Sequence, residues 1–293
     1  MIEHSWRDEI PDAEAAEVRE LLAVCAKADA EAGFNRPEPP CGGSRHLLVR
    51  LLPDERWGGH RSGVRRLAAY LQVRGREAAY VVHPDLRSRG LTTLLVEQHA
   101  LDDVPGCTIW ARNNHPAAAR LAQRFGVRAA RREWQLLAPL HSAEPPPGLR
   151  PATPADDLTT LWSEGSPPTT ATALVAPAGR GLDGSAARDA APGTPAPGGP
   201  ASGGSAASAG APRGAVWFDA AAREATEYGP AGRIHAVRGG PVRPLLTAAM
   251  AALHDAGLRV AVLTIPSTES ELVHEARTLG FRHDQTDVQY LIP

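Results

Sequence analysis

The stretch Val81-Val-His-Pro-Asp-Leu-Arg-Ser-Arg-Gly-Leu-Thr-Thr-Leu-Leu95 decides the fold, because it joins a strand, a basic loop and a helix. The run over residues 78–82 is short and apolar, which predicts a buried strand. The leucines that follow the loop recur at helical spacing and predict a helix over 91–101. The loop therefore lies where a helix exposes its unpaired N–H groups and the positive end of its dipole.

The chemistry of this loop suits a phosphate group. Gly90 has no Cβ, so a ligand can approach the backbone closely, and Arg87 and Arg89 add two positive charges. A pyrophosphate would find both backbone donors and cations here. The same residues also fit a solvated turn with two surface arginines, and both interpretations stay open on the loop alone.

The surrounding segments predict an α/β unit with a mixed, mostly antiparallel sheet. Apolar positions from Val18 to Cys25 mark a helix that ends near Gly33. The other predicted elements are two antiparallel strands at 45–52 and 66–73, a strand at 108–111, and a helix at 115–124 that Gly126 stops.

The composition excludes several classes of protein. The chain has 293 residues, 43% of them hydrophobic, and a formal net charge of -2, which gives no electrostatic support for nucleic-acid binding. The sequence shows neither a secretory signal nor an apolar run of membrane-spanning length, so we expect a cytoplasmic chain with no membrane partner. Its three cysteines are widely spaced and predict neither a disulfide framework nor a metal site. Cys41, in a loop, is the one that could be reactive.

A change of composition divides the chain. Residues 177–212 are almost entirely Ala, Gly, Pro and Ser, a composition that cannot bury enough apolar surface to offset its ordering entropy. We therefore predict a first domain at 1–140, a weakly ordered segment and linker at 141–212, and a truncated second domain at 213–293.

The two predicted domains match each other in sequence. Arg124-Phe-Gly-Val-Arg128 falls on Thr278-Leu-Gly-Phe-Arg282, 154 residues further on. At the same offset Trp134-Gln-Leu-Leu-Ala-Pro139 falls on Val288-Gln-Tyr-Leu-Ile-Pro293. A match that keeps glycine on glycine and proline on proline indicates an internal duplication.

These motifs resemble the GNAT acyltransferases. Arg87-Ser-Arg-Gly-Leu-Thr92 is similar to the Arg/Gln-x-x-Gly-x-Gly/Ala signature of that family, whose loop amides hold the pyrophosphate of acetyl-CoA. Asn114-His-Pro-Ala-Ala-Ala-Arg120 followed by Phe125-Gly-Val127 resembles the second family signature near the pantetheine arm. The resemblance implies a tandem GNAT fold of the α/β (α+β) class with a degenerate second copy, and acetyl-CoA as co-substrate.

The resemblance also implies which residues bind acetyl-CoA. Thr92 departs from the family, since Gly or Ala is usual there, and its hydroxyl could donate to a phosphate. The implied cofactor-binding residues are Tyr80, Val81, Val82, Arg87, Ser88, Arg89, Gly90, Leu91, Thr92, Thr93 and Asn114.

Among GNAT proteins, the two-copy plan with a closing Trp-Gln-Leu-Leu-Ala-Pro-Leu resembles the mycothiol synthases. They acetylate the cysteinyl amine of a cysteine-glucosamine-inositol precursor, which implies a small amine or thiol substrate and a monomeric enzyme. By the same resemblance Glu38 corresponds to a substrate-binding glutamate. The alternative is a catalytically impaired module that holds acetyl-CoA without turnover.

The catalytic groups are harder to assign. In the second copy the loop carries two prolines, Pro241 and Pro244, and Pro244 stands where the first copy has Gly90. Proline has no backbone N–H, and the loss of two such donors weakens phosphate binding by roughly 10² to 10⁴. The family's tyrosine acid is replaced by alanine in both copies, at Ala122 and Ala276. An amine nucleophile still needs a base. The candidates are Glu77 and Glu227, with His83, His235 and Tyr228 as further possibilities.

Overall fold

The computed structural model describes residues 2–32, 45–52, 66–153, 156, 158, 161, 171–176 and 212–292, with the backbone alone at 222–225. Glu38 and Cys41, which the sequence singles out, lie outside the described residues. The chain divides into two compact units. Unit 1 comprises Met1–Glu133 and Gln285–Pro293, and unit 2 comprises Trp134–Asp284.

Unit 1 is a sheet with helices against it. Its elements are β1 (Ile2–Arg7), α1 (Asp12–Glu31), β2 (Arg45–Leu51), β3 (Arg66–Arg74), β4 (Glu77–Val82), α2 (Leu91–Glu97), β5 (Thr108–Ala111), α3 (Pro116–Arg124), the start of β6 (Ala129–Pro139) and most of β12 (Arg282–Leu291). The strand order is β1-β2-β3-β4-β5-β12, antiparallel except for the parallel pair β4 and β5.

Side chains alternate between the two faces of the sheet along the strands of unit 1, and both faces are buried. Leu48 and Tyr70 pack in one cluster with Val18 and Cys25 of α1. The neighbouring strand residues face the other way and share a second cluster with Leu95 of α2. Because helices cover both faces, seven consecutive residues of β3, from 67 to 73, are buried, and all of them except Gln72 are apolar or aromatic.

Unit 2 has its own sheet and core. Its elements are the remainder of β6, β7 (Arg150–Pro151), β8 (Thr172–Ala176), β9 (Gly214–Thr226), β10 (Gly229–Gly239), α4 (Val242–Asp255), β11 (Val260–Pro266) and α5 (Ser270–Thr278). The strand order is β6-β11-β10-β9-β8-β7, with β10 and β11 parallel. Apolar residues of α4, such as Leu245 and Leu253, pack with Ile234 and Leu263 in the core.

The repeated elements keep the sequence offset. α3 and α5 each have nine residues, and adding the offset to the bounds of α3 gives those of α5. β5 likewise falls inside β11. The α/β class and the mixed, mostly antiparallel sheet predicted from the sequence are confirmed.

One predicted helix is wrong in length. α2 ends at Glu97 instead of continuing to Leu101, because His99 adopts a left-handed conformation with φ 57°. The amide of Ala100 then donates to the carbonyl of Leu95 at 3.0 Å, which closes the helix end as a turn. Leucine spacing alone cannot report such a backbone reversal.

The boundaries of the two units differ from the domain boundaries predicted from the sequence. The division falls within β6, at Glu133, and within β12, at Gln285, so each strand carries residues of both units. β7 and β8 lie inside the stretch 141–212 that we expected to be weakly ordered. Among the described residues, no helix is both long and apolar enough to cross a bilayer.

Candidate functional site

A cleft opens in unit 1 where two parallel strands diverge. β4 and β5 pair through only two residue pairs, Glu77 with Thr108 and Ala78 with Ile109. Beyond Ala78 the two strands line a cleft of about 890 Å³. The backbone N–H and C=O groups of diverging strands face such a gap without a strand partner. An extended ligand with amide groups can therefore form hydrogen bonds to them, as an added strand would.

The basic loop closes one end of the cleft. His83 directly follows the strand and is buried. Its Nδ1 accepts a hydrogen bond from the amide of Asp85 at 3.3 Å, so it caps a short turn. Ser88 and Gly90 both have positive φ angles, 61° and 82°. Gly90 caps α2, whose first i to i−4 hydrogen bond runs from the Leu94 amide at 3.0 Å. The amides before Leu94 precede the ladder and are the donors available to an anion.

Arg87 shapes this loop through contacts with protein groups. Its Nη1 lies 2.6 Å from Oδ1 of Asp29 on α1, and its Nε donates to the carbonyl oxygen of Val82 at 3.1 Å. Arg87 and Asp29 both line the cleft. Arg89, by contrast, is exposed and does not belong to the lining. The first arginine of the motif therefore anchors the loop to α1.

Thr92 is held by a tyrosine on the neighbouring strand. The hydroxyls of Tyr80 and Thr92 lie 3.2 Å apart, within hydrogen-bond distance. Burial raises the pKa of the Tyr80 phenol well above its usual value, and the contact with Thr92 opposes this only in part. The residue that departs from the family signature thus has a defined partner at the start of α2.

The lining of the cleft is rich in arginine. It includes Arg74, Arg87, Arg112, Arg120 and Arg124, against the acidic residues Asp29 and Glu77. An excess of guanidinium groups suits a ligand that carries several phosphate charges. The cleft therefore fits an extended, amide-bearing, polyanionic molecule.

Carboxylates cluster near the start of β4. Glu77 lines the cleft, and Glu133 lies close enough for the two charges to interact. Burial has the largest effect on the pKa of Glu133 and raises it. Arg131, whose Nη2 lies 2.7 Å from Glu133 Oε1, and Arg112 oppose this rise, while Asp287 and Glu77 add to it. Our sequence reasoning missed Glu133 and Asp287. They are equivalent residues at the offset of the internal repeat, so the self-comparison could have revealed them.

The predicted site residues of the first copy fall into three groups. Those that line the cleft are Glu77, Tyr80, Val81, Val82, Arg87, Ser88, Gly90, Leu91, Thr92 and Thr93. Arg89 and Asn114 lie outside the lining, and Asn114 ends a short turn after β5 with φ 42°. Glu38 lies outside the described residues.

The equivalent place in unit 2 is filled. β10 and β11 pair through four residue pairs, twice as many as in unit 1. Ile234, Leu246 and Ile265 stand where the first copy has Tyr80, Thr92 and Ala111, and each of the three is at most 1% exposed.

The helix of unit 2 also begins early, at Val242, so it occupies the positions equivalent to residues 88–90, the end of the first copy's loop. Glu227 and Tyr228 lie in the turn between β9 and β10, where Tyr228 is 63% exposed. The catalytic candidate Glu227 is therefore an exposed turn residue.

Comparison with solved structures identifies the fold class. A GCN5-related N-acetyltransferase from Sphaerobacter thermophilus matches with a TM-score of 0.50 at 18% identity, over 98% of this chain and 94% of that protein. A tandem GNAT protein from the clavulanic acid biosynthesis pathway matches with a TM-score of 0.53 at 14% identity, over 99% and 98%. The chain has the GNAT fold, in its tandem form.

Sequence comparison adds particular relatives. Mycothiol acetyltransferase of Parafrankia sp. (strain EAN1pec) is 37% identical over 52% of this chain and 48% of the relative. The enzymes of Saccharomonospora viridis and Nocardia farcinica are 34% and 31% identical, over 43% and 53% of this chain and 42% and 54% of the relatives. The chain spans about half the length of the curated relatives it matches, and no protein-family model matches it. The resemblance inferred from the loop motif and the duplication is confirmed.

Proposed function

We propose that this chain is an acetyl-CoA-dependent N-acetyltransferase whose reaction takes place in the cleft of unit 1. The observation that carries the proposal is the divergence of β4 and β5 after two residue pairs, with the gap closed by the loop over residues 83–90 and the start of α2. The names of its sequence relatives and its tandem GNAT fold support the same reaction class.

The cleft offers acetyl-CoA a complementary group for each part of its chemistry. The amides that precede the ladder of α2, including that of Gly90, would bind the pyrophosphate. A Cβ added at Gly90 would meet no atom within 4 Å, so the backbone there faces open space. The diverging edges of β4 and β5 would pair with the amides of the pantetheine arm. Thr92, fixed by Tyr80, would add a hydroxyl beside the phosphates.

The transfer requires a deprotonated amine beside the thioester. Acetyl-CoA supplies the thioester, whose carbonyl carbon forms a bond to the amine nitrogen while its bond to sulfur breaks. The amine loses one proton, and the departing thiolate takes up one. We assign Glu77 as the proton acceptor, because its carboxylate lines the cleft near the end at which the two strands still pair.

For the acceptor we propose the cysteinyl amine of the cysteine-glucosamine-inositol precursor, as the resemblance implies. The closing step of mycothiol biosynthesis then belongs to unit 1, and unit 2 has a structural role. This proposal also includes a monomeric chain in the cytoplasm, as expected from the sequence.

The test is a coupled measurement on the full chain. Acetyl-CoA is titrated calorimetrically, and the same sample then receives the cysteinyl precursor while thiol release and the acetylated product are followed. We expect binding and turnover, and a 10²- to 10⁴-fold lower kcat in Glu77→Gln, the range for loss of a general base. The control variant is Glu271→Gln, which removes an exposed carboxylate in the first turn of α5, in unit 2.

The outcomes separate the hypotheses. Binding without turnover on the precursor or other small amines would favour the impaired acetyl-CoA-binding module. Absence of acetyl-CoA binding would refute the proposal altogether. A Glu77→Gln enzyme as fast as wild type would remove Glu77 from the mechanism and leave the reaction class intact.

A further inference from the structure

Residues from the second copy complete the sheet of unit 1. β12 pairs antiparallel with β5, from Val288 opposite Ala111 to Leu291 opposite Thr108. Gln289 Nε2 also donates to Thr108 Oγ1 at 2.9 Å. Thus β5, one wall of the cleft, has β12 as its neighbour on the side away from β4.

One side chain of β12 binds the segment that follows β5. Oδ2 of Asp287 accepts a hydrogen bond from Arg112 Nη1 at 2.7 Å, and Oδ1 accepts one from the backbone amide of Asn113, also at 2.7 Å. The Asp287 side chain is only 16% exposed. Charge-assisted hydrogen bonds in such partly buried settings are stronger than neutral ones.

The bound segment has an uncommon backbone conformation. Asn113 and Asn114 both have positive φ angles, 53° and 42°, in the left-handed region that residues other than glycine seldom adopt, although asparagine adopts it more often than most. Two consecutive residues of this kind persist only when surrounding contacts hold them. The Asp287 carboxylate supplies such a contact at the Asn113 amide.

This segment connects β5 to α3, and residues of both elements line the cleft. It is followed by His115, whose Nδ1 accepts from the amide of Ala117 at 3.2 Å and so caps α3. On its other side, the guanidinium carbon of Arg112 lies 4.8 Å from the centre of the Trp110 ring. Trp110, Arg112, His115 and Ala117 all line the cleft.

We propose that Asp287 is a positioning residue for acyl-CoA binding in unit 1, acting through Arg112 and the Asn113 amide on the β5 to α3 wall. The inference rests on the proposed function, since it names a further residue of the same site. Asp287 does not line the cleft, so its effect on the ligand passes through the residues it holds. The second copy, whose own cleft is filled, thereby contributes to the site of the first.

The experiment compares three variants of the full chain. Asp287→Ala removes both contacts. Asp287→Asn keeps an oxygen that can accept from the Asn113 amide but loses the ion pair with Arg112. The matched control is Asp284→Ala, on the same strand, which loses the hydrogen bond that Asp284 Oδ2 accepts from Gln135 Nε2 at 3.1 Å. The measurements are the acetyl-CoA dissociation constant by calorimetry and hydrogen exchange of the backbone amides in the unliganded proteins.

We expect Asp287→Ala to weaken acetyl-CoA binding roughly tenfold to hundredfold, with Asp287→Asn intermediate and Asp284→Ala within about twofold of wild type. Amides of residues 112–118 should exchange faster in Asp287→Ala, while those of β3 keep their protection. Global destabilisation would instead speed exchange in both places, and that result would overturn the inference. So would wild-type affinity in Asp287→Ala.

Failure of the proposed function looks different. If the wild-type chain does not bind acetyl-CoA, the function is refuted by that measurement alone. The exchange data then still decide whether Asp287 holds the 112–118 segment, and unchanged exchange in Asp287→Ala would overturn the inference.

Discussion

Substitution of Gly90 gives a quantitative test of the loop as a phosphate site. Gly90 has φ 82° and ψ 6°, a left-handed conformation that costs an alanine about 1–2 kcal/mol. A Cβ there would meet no protein atom within 4 Å, so Gly90→Ala introduces conformational strain without a clash. The new methyl group would instead obstruct the approach of a ligand to the loop amides.

A matched glycine in unit 2 separates the two effects. Gly257, after α4, has φ 79° and equally open surroundings, so Gly257→Ala carries a similar strain. Both variants should lose about 1–2 kcal/mol of unfolding free energy and a few degrees in Tm. Only Gly90→Ala should weaken acetyl-CoA binding, roughly 10- to 150-fold if one charge-assisted hydrogen bond is lost.

The assay is calorimetric titration of each variant with acetyl-CoA, with thermal unfolding followed on the same preparations. Equal dissociation constants for wild type, Gly90→Ala and Gly257→Ala would refute the reasoning, because the loop backbone would then not contact the ligand. Weaker binding in both alanine variants would point to a general loss of stability instead.

Three further predictions concern the surroundings of the site. Since burial raises the pKa of Tyr80 above its ordinary value of about 10, the phenol's contribution to stability is fully present below pH 10 and is lost as pH rises further. In Tyr80→Phe the free energy of unfolding, measured with urea at pH values above about 10, should fall less with rising pH than in wild type. The same pH dependence in both proteins would contradict the assignment. Arg87→Ala and Asp29→Ala should each weaken acetyl-CoA binding about three- to tenfold. The double variant should bind no more weakly than either single variant, because the two side chains act as one anchor. Additive losses of affinity would show that they act separately. Replacing Pro241 and Pro244 by glycine should leave calorimetric stoichiometry at one acetyl-CoA per chain, because buried aliphatic side chains fill the equivalent space; a second binding event would refute this.

Much of unit 1 follows from local sequence patterns. The strand at Thr108–Ala111 was predicted with the bounds that the structure shows, because short apolar runs between turn signals define strands well. The loop over residues 83–90 was predicted between strand and helix, where glycine marks a left-handed turn. The duplication was visible because equivalent turns keep glycine and proline at a constant spacing.

The remaining features depend on contacts that sequence patterns do not specify. The local sequence of β12 does not predict that Val288 pairs with Ala111, because strand pairing depends on the whole fold. For the same reason Asp287 could not be recognised as a neighbour of Arg112, although the repeat marks it as the counterpart of Glu133. The engagement of Arg87 by Asp29 was missed because a basic loop by itself does not reveal an acidic partner on a distant helix.

The pairing of β5 with β12 also affects synthesis of the chain on the ribosome. Thr108 and Gln289, which are hydrogen-bonded in the finished sheet, are 181 residues apart. At about 5–20 residues per second, β5 waits on the order of ten to forty seconds for its partner to be translated. During that interval the strand has an unpaired edge on the side that β12 later covers, a kind of edge that invites incorrect pairing. Nascent chains stalled before residue 285 should therefore be captured by chaperones, or aggregate, more readily than chains released after β12.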